Sequence, residues 1–204
     1  MKVTVVDYGA GNIGSVANAL WRAGGEPVVT SDPDRVRSAE RIVLPGVGAA
    51  GAAIKAIRAG GLDQALDSAR KAGRPFMGIC VGMQVLADEL LEFGNHRGLG
   101  WVRGIVAAID PGENKSVRVP HIGWSEIDLG AKRSSVLGSR DRYFYFCHSF
   151  RLVRDEGIAV ATVAHGEPYT CAIEFDNVFA CQFHPEKSQI AGQRLIERFL
   201  AWKP

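Results

Sequence analysis

A cysteine between two glycines is the strongest chemical signal in the chain. Residues 75–86 read PFMGICVGMQVL, an apolar run that leads into the pattern GICVG centred on Cys80. This spacing is typical of a nucleophile elbow, in which a strand turns sharply into a helix and tolerates only small neighbours. The thiol would lie at the carboxyl end of a sheet, and the amino end of the following helix would favour its thiolate form. A buried structural cysteine in a tight turn fits the same five residues equally well, so the chemical interpretation needs a base.

A histidine with an acid two positions further on could supply that base. His184 lies in CQFHPEKS, residues 181–188, directly after an apolar run, and Pro185 stiffens the turn beyond it. Glu186 could reach the far ring nitrogen around this turn, fix the tautomer and stabilise the imidazolium. Cys80, His184 and Glu186 would then supply a nucleophile, a proton shuttle and an orienting group. The alternative is a loop histidine beside a solvated carboxylate, and it weakens because the cysteine elbow also follows a strand.

Two glycine-rich turns also follow predicted strands. In LPGVGAA, residues 44–50, the peptides can reorient at little cost, so an N–H could face a developing oxyanion; an ordinary turn before a helix has the same composition. In DYGAGNIGSV, residues 7–16, the letters match the G-x-G-x-x-G of a dinucleotide-binding turn. The carboxylate of Asp7 would oppose a pyrophosphate there. We therefore interpret this stretch as a tight strand-to-helix turn that exposes Asn12, with nucleotide binding as the lesser alternative.

The overall composition argues against several classes of protein. The chain has 204 residues, of which 47% are apolar and 23% charged, and its formal net charge is +2, as in an ordinary globular protein. The basic residues form no run of the kind that binds nucleic acid or membrane surfaces. The sequence shows no bilayer-spanning apolar stretch and no signal peptide, which predicts a cytoplasmic protein. Its four cysteines lack zinc-binding spacing, and Cys147, Cys171 and Cys181 are expected to be small buried thiols.

The order of the predicted elements indicates an α/β fold. Strands and helices alternate in the first half, which predicts a mainly parallel sheet flanked by helices. Strands are expected at residues 2–7, 27–30, 41–44 and 75–79, and helices at residues 12–23, 50–59, 62–72 and 82–90. The second half predicts antiparallel strand additions at residues 99–109, 117–119, 143–146, 158–163, 170–175 and 178–182, and then a helix over residues 191–202. Because no repeat or linker is visible, residues 1–204 are predicted to form a single domain.

Six stretches taken together resemble the class I, or triad-type, glutamine amidotransferases. They are DYGAGNIGSV, PGVGAA, GICVGMQ, VPHIGW, FCHSF and HPEKSQ, and the resemblance covers essentially the whole chain. It implies a flavodoxin-like α/β fold with antiparallel additions. It also implies a glutaminase that hydrolyses L-glutamine to L-glutamate and ammonia, with no cofactor and no metal.

The resemblance assigns roles to the residues that match its motifs. It implies that Cys80 attacks the side-chain amide of glutamine, that His184 protonates the leaving ammonia and then activates water, and that Glu186 orients His184. The oxyanion hole would involve Val47 and the N–H of Val81. The residues implied in glutamine binding are Gly46, Gly48, Gln84, His148, Ser149 and Phe150.

The resemblance also implies a partner. The longer motifs are those of glutaminases that form a heterodimer with a (β/α)8-barrel cyclase subunit and pass ammonia to it for histidine biosynthesis. The residues expected near that partner are Asn12, His121, Trp124, Tyr143 and Lys187. Two other classes stay open: a non-catalytic binding or regulatory subunit with this fold, and a different enzyme, such as the glutaminase of another synthase or a cysteine hydrolase.

Overall fold

The computed structural model describes residues 1–112, 117–153 and 157–204. Its strands are β1 (Lys2–Val6), β2 (Glu26–Thr30), β3 (Ile42–Leu44), β4 (Phe76–Ile79), β5 (Ala87–Leu90), β6 (His96–Arg97), β7 (Val102–Ala108), β8 (His121–Leu129), β9 (Tyr143–His148), β10 (Phe150–Leu152), β11 (Ala159–Val163), β12 (Tyr169–Phe175) and β13 (Val178–Cys181). Its helices are α1 (Ile13–Arg22), α2 (Pro33–Arg37), α3 (Ala50–Ala59), α4 (Leu62–Lys71), α5 (Val81–Gln84) and α6 (Gln189–Ala201), with a short 3-10 helix at Pro185–Lys187.

Four strands of the first half of the chain and β13 from the second half build the parallel part of a nine-stranded sheet. Here β2, β1, β3, β4 and β13 lie side by side and run parallel. Every residue of β4 and β13 is buried, as expected for short apolar strands that are covered on both faces. The carboxyl ends of parallel strands meet at one edge of a sheet, so the segments that follow β1, β3, β4 and β13 are brought together.

The second half continues the same sheet with antiparallel strands. The order proceeds from β13 through β12, β11 and β8 to β9, and a second sheet holds β10, β7, β5 and β6. Side chains of β8 alternate between the two faces: His121 and Ile127 are buried, whereas Ile122 and Trp124 are exposed. The strand pair β8–β9 therefore has an inner face against the core and an outer face that lies open.

Two buried phenylalanine rings connect the core to the segment that follows β13. Phe144 of β9 and Phe183 are both fully buried, and their stacked rings have centroids 4.1 Å apart. Full burial of such a side chain stabilises the fold by about 1.5–3 kcal/mol. This pair anchors β9 and the residues after β13 to each other.

The structure confirms the predicted α/β alternation and the antiparallel second half, but two local predictions are wrong. The helix expected over residues 82–90 ends at Gln84. Beyond it the carbonyl oxygens of Val85 and Leu86 accept hydrogen bonds from Leu99 and Trp101 at 2.7 and 2.9 Å, and the chain continues as β5 beside β7. Residues 117–119 form no strand, since Pro120 lacks the N–H that would continue a ladder; the strand begins at His121, which the sequence interpretation missed.

The prediction of three buried structural cysteines is correct for two of them. Cys171 and Cys181 are buried, whereas Cys147 is exposed. Its position in β9 explains the difference, because the alternation of that strand turns it to the outer face.

Candidate active site

Cys80 lies in the sharp turn between β4 and α5. Its backbone adopts φ 53° and ψ −108°, a strained conformation for a residue that carries a Cβ. Packing requires the flanking glycines: a Cβ on Gly82 would overlap the carbonyl oxygen of Leu44, and one on Gly78 would lie 2.7 Å from the carbonyl oxygen of Gly82. The N–H of Cys80 donates to the carbonyl of Cys181 at 2.8 Å. The sharp turn expected from the sequence is present, and its sulfur-bearing residue is buried beside β13.

His184 and Glu186 flank the proline that follows β13. Nδ1 of His184 lies 2.8 Å from Oε1 of Glu186, and the two side chains are 3% and 1% exposed. A carboxylate at this depth is not a solvated charge, so that alternative is wrong. The N–H of His184 donates to the carbonyl of Tyr145 at 2.9 Å, and the hydroxyl of Ser188 donates to the carbonyl of His184 at 2.7 Å. The histidine is therefore held by both its backbone and its ring.

Cys80 and His184 line the same cavity, and each group affects the charge state of the other. Burial by itself would lower the pKa of His184, but its interactions with Cys80 and Glu186 and the charges of both groups raise it to about 10. His184 is thus protonated at neutral pH. An imidazolium beside a cysteine sulfur is the arrangement that turns cysteine into a strong nucleophile.

The helix after Cys80 contributes less than expected from the sequence. With only four residues, Val81–Gln84, it sums few peptide dipoles, so its amino end favours a thiolate less than a full helix would. The protonated His184 is the larger local charge. Val81 is the first residue of α5, and its backbone N–H has no carbonyl acceptor within that helix.

A cavity of about 420 Å³ opens at Cys80, a size that suits a small molecule. Its lining includes most of the residues predicted from the sequence: Val47, Gly48, Cys80, Val81, Gln84, His148, Ser149, Phe150, His184 and Lys187. Glu186 is hydrogen bonded to His184 and lies outside that lining. Gly46 also lies outside it, because it packs so closely that a Cβ there would be 2.6 Å from the hydroxyl of Tyr8.

The loop after β3 forms one wall of this cavity. Gly48 has φ 83°, a conformation that glycine adopts without strain. A Cβ on Gly46 would lie 2.8 Å from Cβ of Val81, so the loop contacts the cysteine turn. The structure therefore brings Val47 and Val81, the two residues predicted for an oxyanion hole, to the same cavity.

Sequence interpretation missed two polar residues at this site. Gln182 is buried; it accepts from the side-chain amide of Gln84 at 3.1 Å, and its own amide nitrogen lies 3.5 Å from Sγ of Cys80. A polar residue directly after a buried strand was the available signal. Glu92 lines the cavity and accepts from the N–H of Ala50 at 2.8 Å. The helix predicted through residue 90 concealed it, because the turn that carries Glu92 exists only when that helix ends early.

The residues expected near a partner do not all face the same way. Trp124 and Tyr143 are 46% and 56% exposed on the outer face of β8–β9. Asn12 and Lys187 are exposed as well. His121 is buried, because it points to the inner face of β8, so its side chain does not lie on the surface.

In the glycine-rich turn after β1, a carboxylate of the turn itself accepts a backbone N–H. Oδ1 of Asp7 accepts the N–H of Gly9 at 2.8 Å. A pyrophosphate at this turn would need such an N–H and would be repelled by the carboxylate. The contact favours the simple strand-to-helix turn over the dinucleotide-binding alternative.

Across residues 1–112, 117–153 and 157–204, no group of three or more His, Cys, Asp or Glu side chains is arranged to hold a metal ion. None of the helices there is long and apolar enough to cross a membrane.

Comparison with known proteins defines the class. The family Glutamine amidotransferase class-I matches residues 4–202, and the chain therefore belongs to that family. A solved structure described as a glutamine amidotransferase superimposes with a TM-score of 0.75 at 21% identity and covers 98% of this chain and 97% of its own. PurLQS from Thermotoga maritima superimposes with a TM-score of 0.72 at 19% identity and covers 98% and 97%. At such low identity these two likenesses show the fold alone.

Curated relatives narrow the class to one group. The imidazole glycerol phosphate synthase subunit HisH of Zymomonas mobilis is 45% identical over 209 residues, which cover 99% of this chain and 96% of the relative. The subunit of the same name from Rhodospirillum rubrum is 45% identical over 215 residues and covers both chains completely. The one from Methanothermobacter thermautotrophicus is 40% identical over 198 residues and covers 97% of each. Within the class, this chain falls among the HisH subunits.

Proposed function

We propose that the chain is the glutaminase subunit of an imidazole glycerol phosphate synthase and hydrolyses L-glutamine to L-glutamate and ammonia. The observation that carries the proposal is the placement of Cys80 beside His184, which is hydrogen bonded to Glu186, at a cavity of small-molecule size. The names of the full-length relatives support the choice of this synthase over other amidotransferases.

In the first half-reaction the sulfur of Cys80 attacks the side-chain carbonyl carbon of glutamine. Negative charge develops on the carbonyl oxygen, where the N–H of Val81 and the loop at Val47 can stabilise it. His184 gives its proton to the amide nitrogen, the carbon–nitrogen bond breaks, and ammonia leaves. A glutamyl thioester then remains on Cys80.

In the second half-reaction water hydrolyses this thioester. His184, now neutral, takes a proton from the attacking water, and the collapse of the intermediate releases L-glutamate and restores the cysteine. Nδ1 of His184 is engaged by Glu186, which leaves Nε2 for the sulfur and the water. Glu186 therefore keeps the same ring nitrogen directed at the reaction in both steps.

The cavity lining suits an amino acid. Gln84 and residues 148–150 form its polar wall, and Gly48 leaves room for the backbone end of glutamine. The carboxylate of Glu92 has the charge that an α-ammonium group requires. We assign this binding role to Glu92 in addition to the residues predicted from the sequence.

The proposed partner is a (β/α)8-barrel cyclase subunit, docked on the outer face of β8–β9. Trp124 and Tyr143 give this face exposed aromatic surface, which is enriched in protein interfaces. Lys187 both lines the cavity and lies with its ammonium 5.7 Å from the ring centroid of Tyr145, so cavity and face adjoin. Ammonia would pass to a phosphoribosyl-formimino carboxamide ribotide, yielding imidazole glycerol phosphate and an aminoimidazole carboxamide ribotide in the cytoplasm.

The test is release of glutamate from glutamine by the purified chain, first alone and then with a cyclase subunit and its nucleotide ligand. We expect little turnover by the chain alone and strong activation in the complex. Absence of turnover in a complex whose formation is verified by gel filtration would overturn the glutaminase assignment. It would then favour a non-catalytic subunit.

A further inference from the structure

A chain of hydrogen bonds runs through the interior behind the cavity, and no step proposed above uses it. It begins at the hydroxyl of Ser125, 2.8 Å from Nε2 of His121. Nδ1 of His121 lies 2.6 Å from the hydroxyl oxygen of Tyr169, and that oxygen lies 2.8 Å from Nε2 of His148. Nδ1 of His148 lies 2.9 Å from the carbonyl oxygen of Phe150. The chain thus connects β8 through β12 to the segment at the end of β9.

The chemistry of its members fixes the direction of every bond. A carbonyl oxygen only accepts, so His148 must donate from Nδ1 to Phe150, and its Nε2 must then accept from the hydroxyl of Tyr169. The oxygen of Tyr169 in turn accepts from Nδ1 of His121. Nε2 of His121 is left to accept from the hydroxyl of Ser125. All four protons point towards Phe150.

This direction requires neutral imidazoles, and the surroundings provide them. Burial lowers the pKa of His148 to about 3, although its hydrogen bond to Phe150 acts in the opposite sense. Burial and the nearby His165 lower the pKa of His121 to about 4. Burial also raises the pKa of Tyr169 above its usual range. Each member therefore keeps one protonation state at neutral pH.

Both ends of the chain lie at surfaces that the proposed reaction uses. The carbonyl of Phe150 also accepts from Nε2 of Gln84 at 2.8 Å, so two donors hold it at the cavity wall. At the other end, His121 and Ser125 lie on the inner face of β8, and Trp124 between them is exposed on the outer face. A displacement of β8 would reach residues 148–150 both along this hydrogen-bond chain and through the β8–β9 ladder, in which His121 pairs with His148.

We propose that Tyr169 is a positioning residue that sets the glutamine-binding segment, residues 148–150, by joining it in one directed hydrogen-bond chain to the partner-facing strand β8. The proposal rests on the glutaminase function proposed above. None of the hydrogen bonds in this series involves the sulfur of Cys80. An intact series of hydrogen bonds therefore governs the binding of glutamine more than the chemical step. Docking of the partner on the outer face of β8 would alter this series of hydrogen bonds and thereby change the affinity for glutamine.

The first test compares Tyr169→Phe with the unaltered chain, each in complex with the cyclase subunit. The variant keeps the ring and removes the hydroxyl that joins His121 to His148. We expect KM for glutamine to rise about tenfold, with kcat within about twofold, because a binding interaction is lost and the transition state gains no separate penalty. An unchanged KM, or a loss confined to kcat, would overturn the proposal.

Two further variants separate positioning from general destabilisation. Ser125→Ala removes the far end of the hydrogen-bond chain and should raise KM about two- to threefold; an unchanged KM would overturn the inclusion of Ser125, so that the chain would end at His121. Asn177→Ala removes buried hydrogen bonds to the carbonyls of Arg70 and Arg74, at the opposite end of β13 from the site. It should lower the Tm without changing KM. If it raised KM as much as Tyr169→Phe, the effect would be one of stability and the proposal would fail.

Ring-nitrogen NMR of the full chain gives a readout that does not depend on turnover. His121 and His148 should both carry their proton on Nδ1, which is the less common tautomer of a solvated histidine. Tyr169→Phe should shift the ring signals of both and leave those of His96 in place. Nε2-protonated rings in the unaltered chain would overturn the proposal. A complex that hydrolyses no glutamine would defeat the proposed function instead, while these tautomers would still test the chain of hydrogen bonds.

Discussion

The parallel and antiparallel halves of the nine-stranded sheet position side chains by different means. In the parallel half, Cys80 and His184 follow the ends of β4 and β13, and their placement depends on the backbone. Cys80 has positive φ, and the glycines on either side of it admit no Cβ. In the loop after β3, the packing around Gly46 likewise admits no Cβ.

In the antiparallel half, placement depends on the alternation of side chains. Consecutive residues of β8 and β9 point to opposite faces, so His121 and His148 lie inside while Trp124 and Tyr143 lie outside. One strand pair thereby serves the interior and a surface at the same time. The comparison shows that the nucleophile lies where the packing leaves the backbone little conformational freedom. The residues proposed for partner recognition and for coupling to the glutamine-binding segment lie on strands whose side chains face both the core and the surface.

The largest expected effect removes the nucleophile of the parallel half. Cys80→Ala should reduce glutamate release in the complex by at least about 10⁴-fold, since the covalent step loses its attacking atom. Folding and partner binding should persist, because alanine leaves the sharp turn in place. Glutamate release, circular dichroism and gel filtration of the complex measure the three properties.

The matched control for this prediction is a cysteine of the antiparallel half. Cys171 is fully buried in β12, and Cys171→Ala should lower stability by about 1 kcal/mol while hydrolysis continues. Substantial glutaminase activity in Cys80→Ala would remove Cys80 from the mechanism.

The next effect tests the backbone requirement itself. In Gly82→Ala the added Cβ would meet the carbonyl of Leu44, which is backbone and cannot move aside, so the free energy of unfolding should fall by about 3 kcal/mol. Gly14→Ala is the control, because nothing lies within 4 Å of its Cβ position; its stability should not fall and should rise by up to about 1 kcal/mol, since alanine favours the helix over glycine. Urea unfolding of both variants provides the measurement. Equal stabilities would mean that the turn relaxes at little cost, and the contrast between the halves would lose its basis.

A smaller effect is expected on the outer face of the antiparallel half. Trp124→Ala should weaken binding of the cyclase subunit about thirtyfold, or ~2 kcal/mol, as for a central interface tryptophan. The stability of the isolated chain should stay within about 0.5 kcal/mol, since the side chain is exposed. Trp21→Ala is the control, because Trp21 is 67% exposed on α1 and lies outside the proposed face. Titration calorimetry would contradict the proposed docking face if both variants bound equally well.

The two halves also differ in how far the sequence predicted them. The cysteine turn was predictable because its signal is local: three small or reactive residues within five positions specify it. The burial of His121 was not predictable in the same way, because only the register of β8 with β9 determines which face a residue occupies. Glu92 and Tyr169 were missed for a related reason. Their roles depend on contacts with residues far away in the chain, and the hydrogen bonds that end α5 early also join distant segments.

An effect on the pH dependence of stability follows from opposite pKa shifts in the two halves. His184 of the parallel half has its pKa raised from 6.5 to about 10. Between these values the folded chain binds more protons than the unfolded chain, so this contribution to stability is present below pH 6.5 and is lost as pH rises towards 10. His121 and His148 of the antiparallel half have pKa values lowered to about 4 and 3. Here the unfolded chain binds more protons, so their contribution is present above pH 6.5 and is lost as pH falls towards 3.

Urea unfolding across pH should therefore show a maximum near pH 6.5 with a separable cause on each side. Cys80→Ala removes one partner of His184 and should flatten mainly the alkaline limb, with a smaller change in the acid limb because the charge of His184 also lowers the pKa of His148. His121→Gln should flatten the acid limb alone, because it removes a titrating group of the antiparallel half and leaves His184 with both its partners. If either substitution altered both limbs equally, the two histidine systems would be coupled through the fold. The division of the sheet into two independently positioned halves would then be wrong.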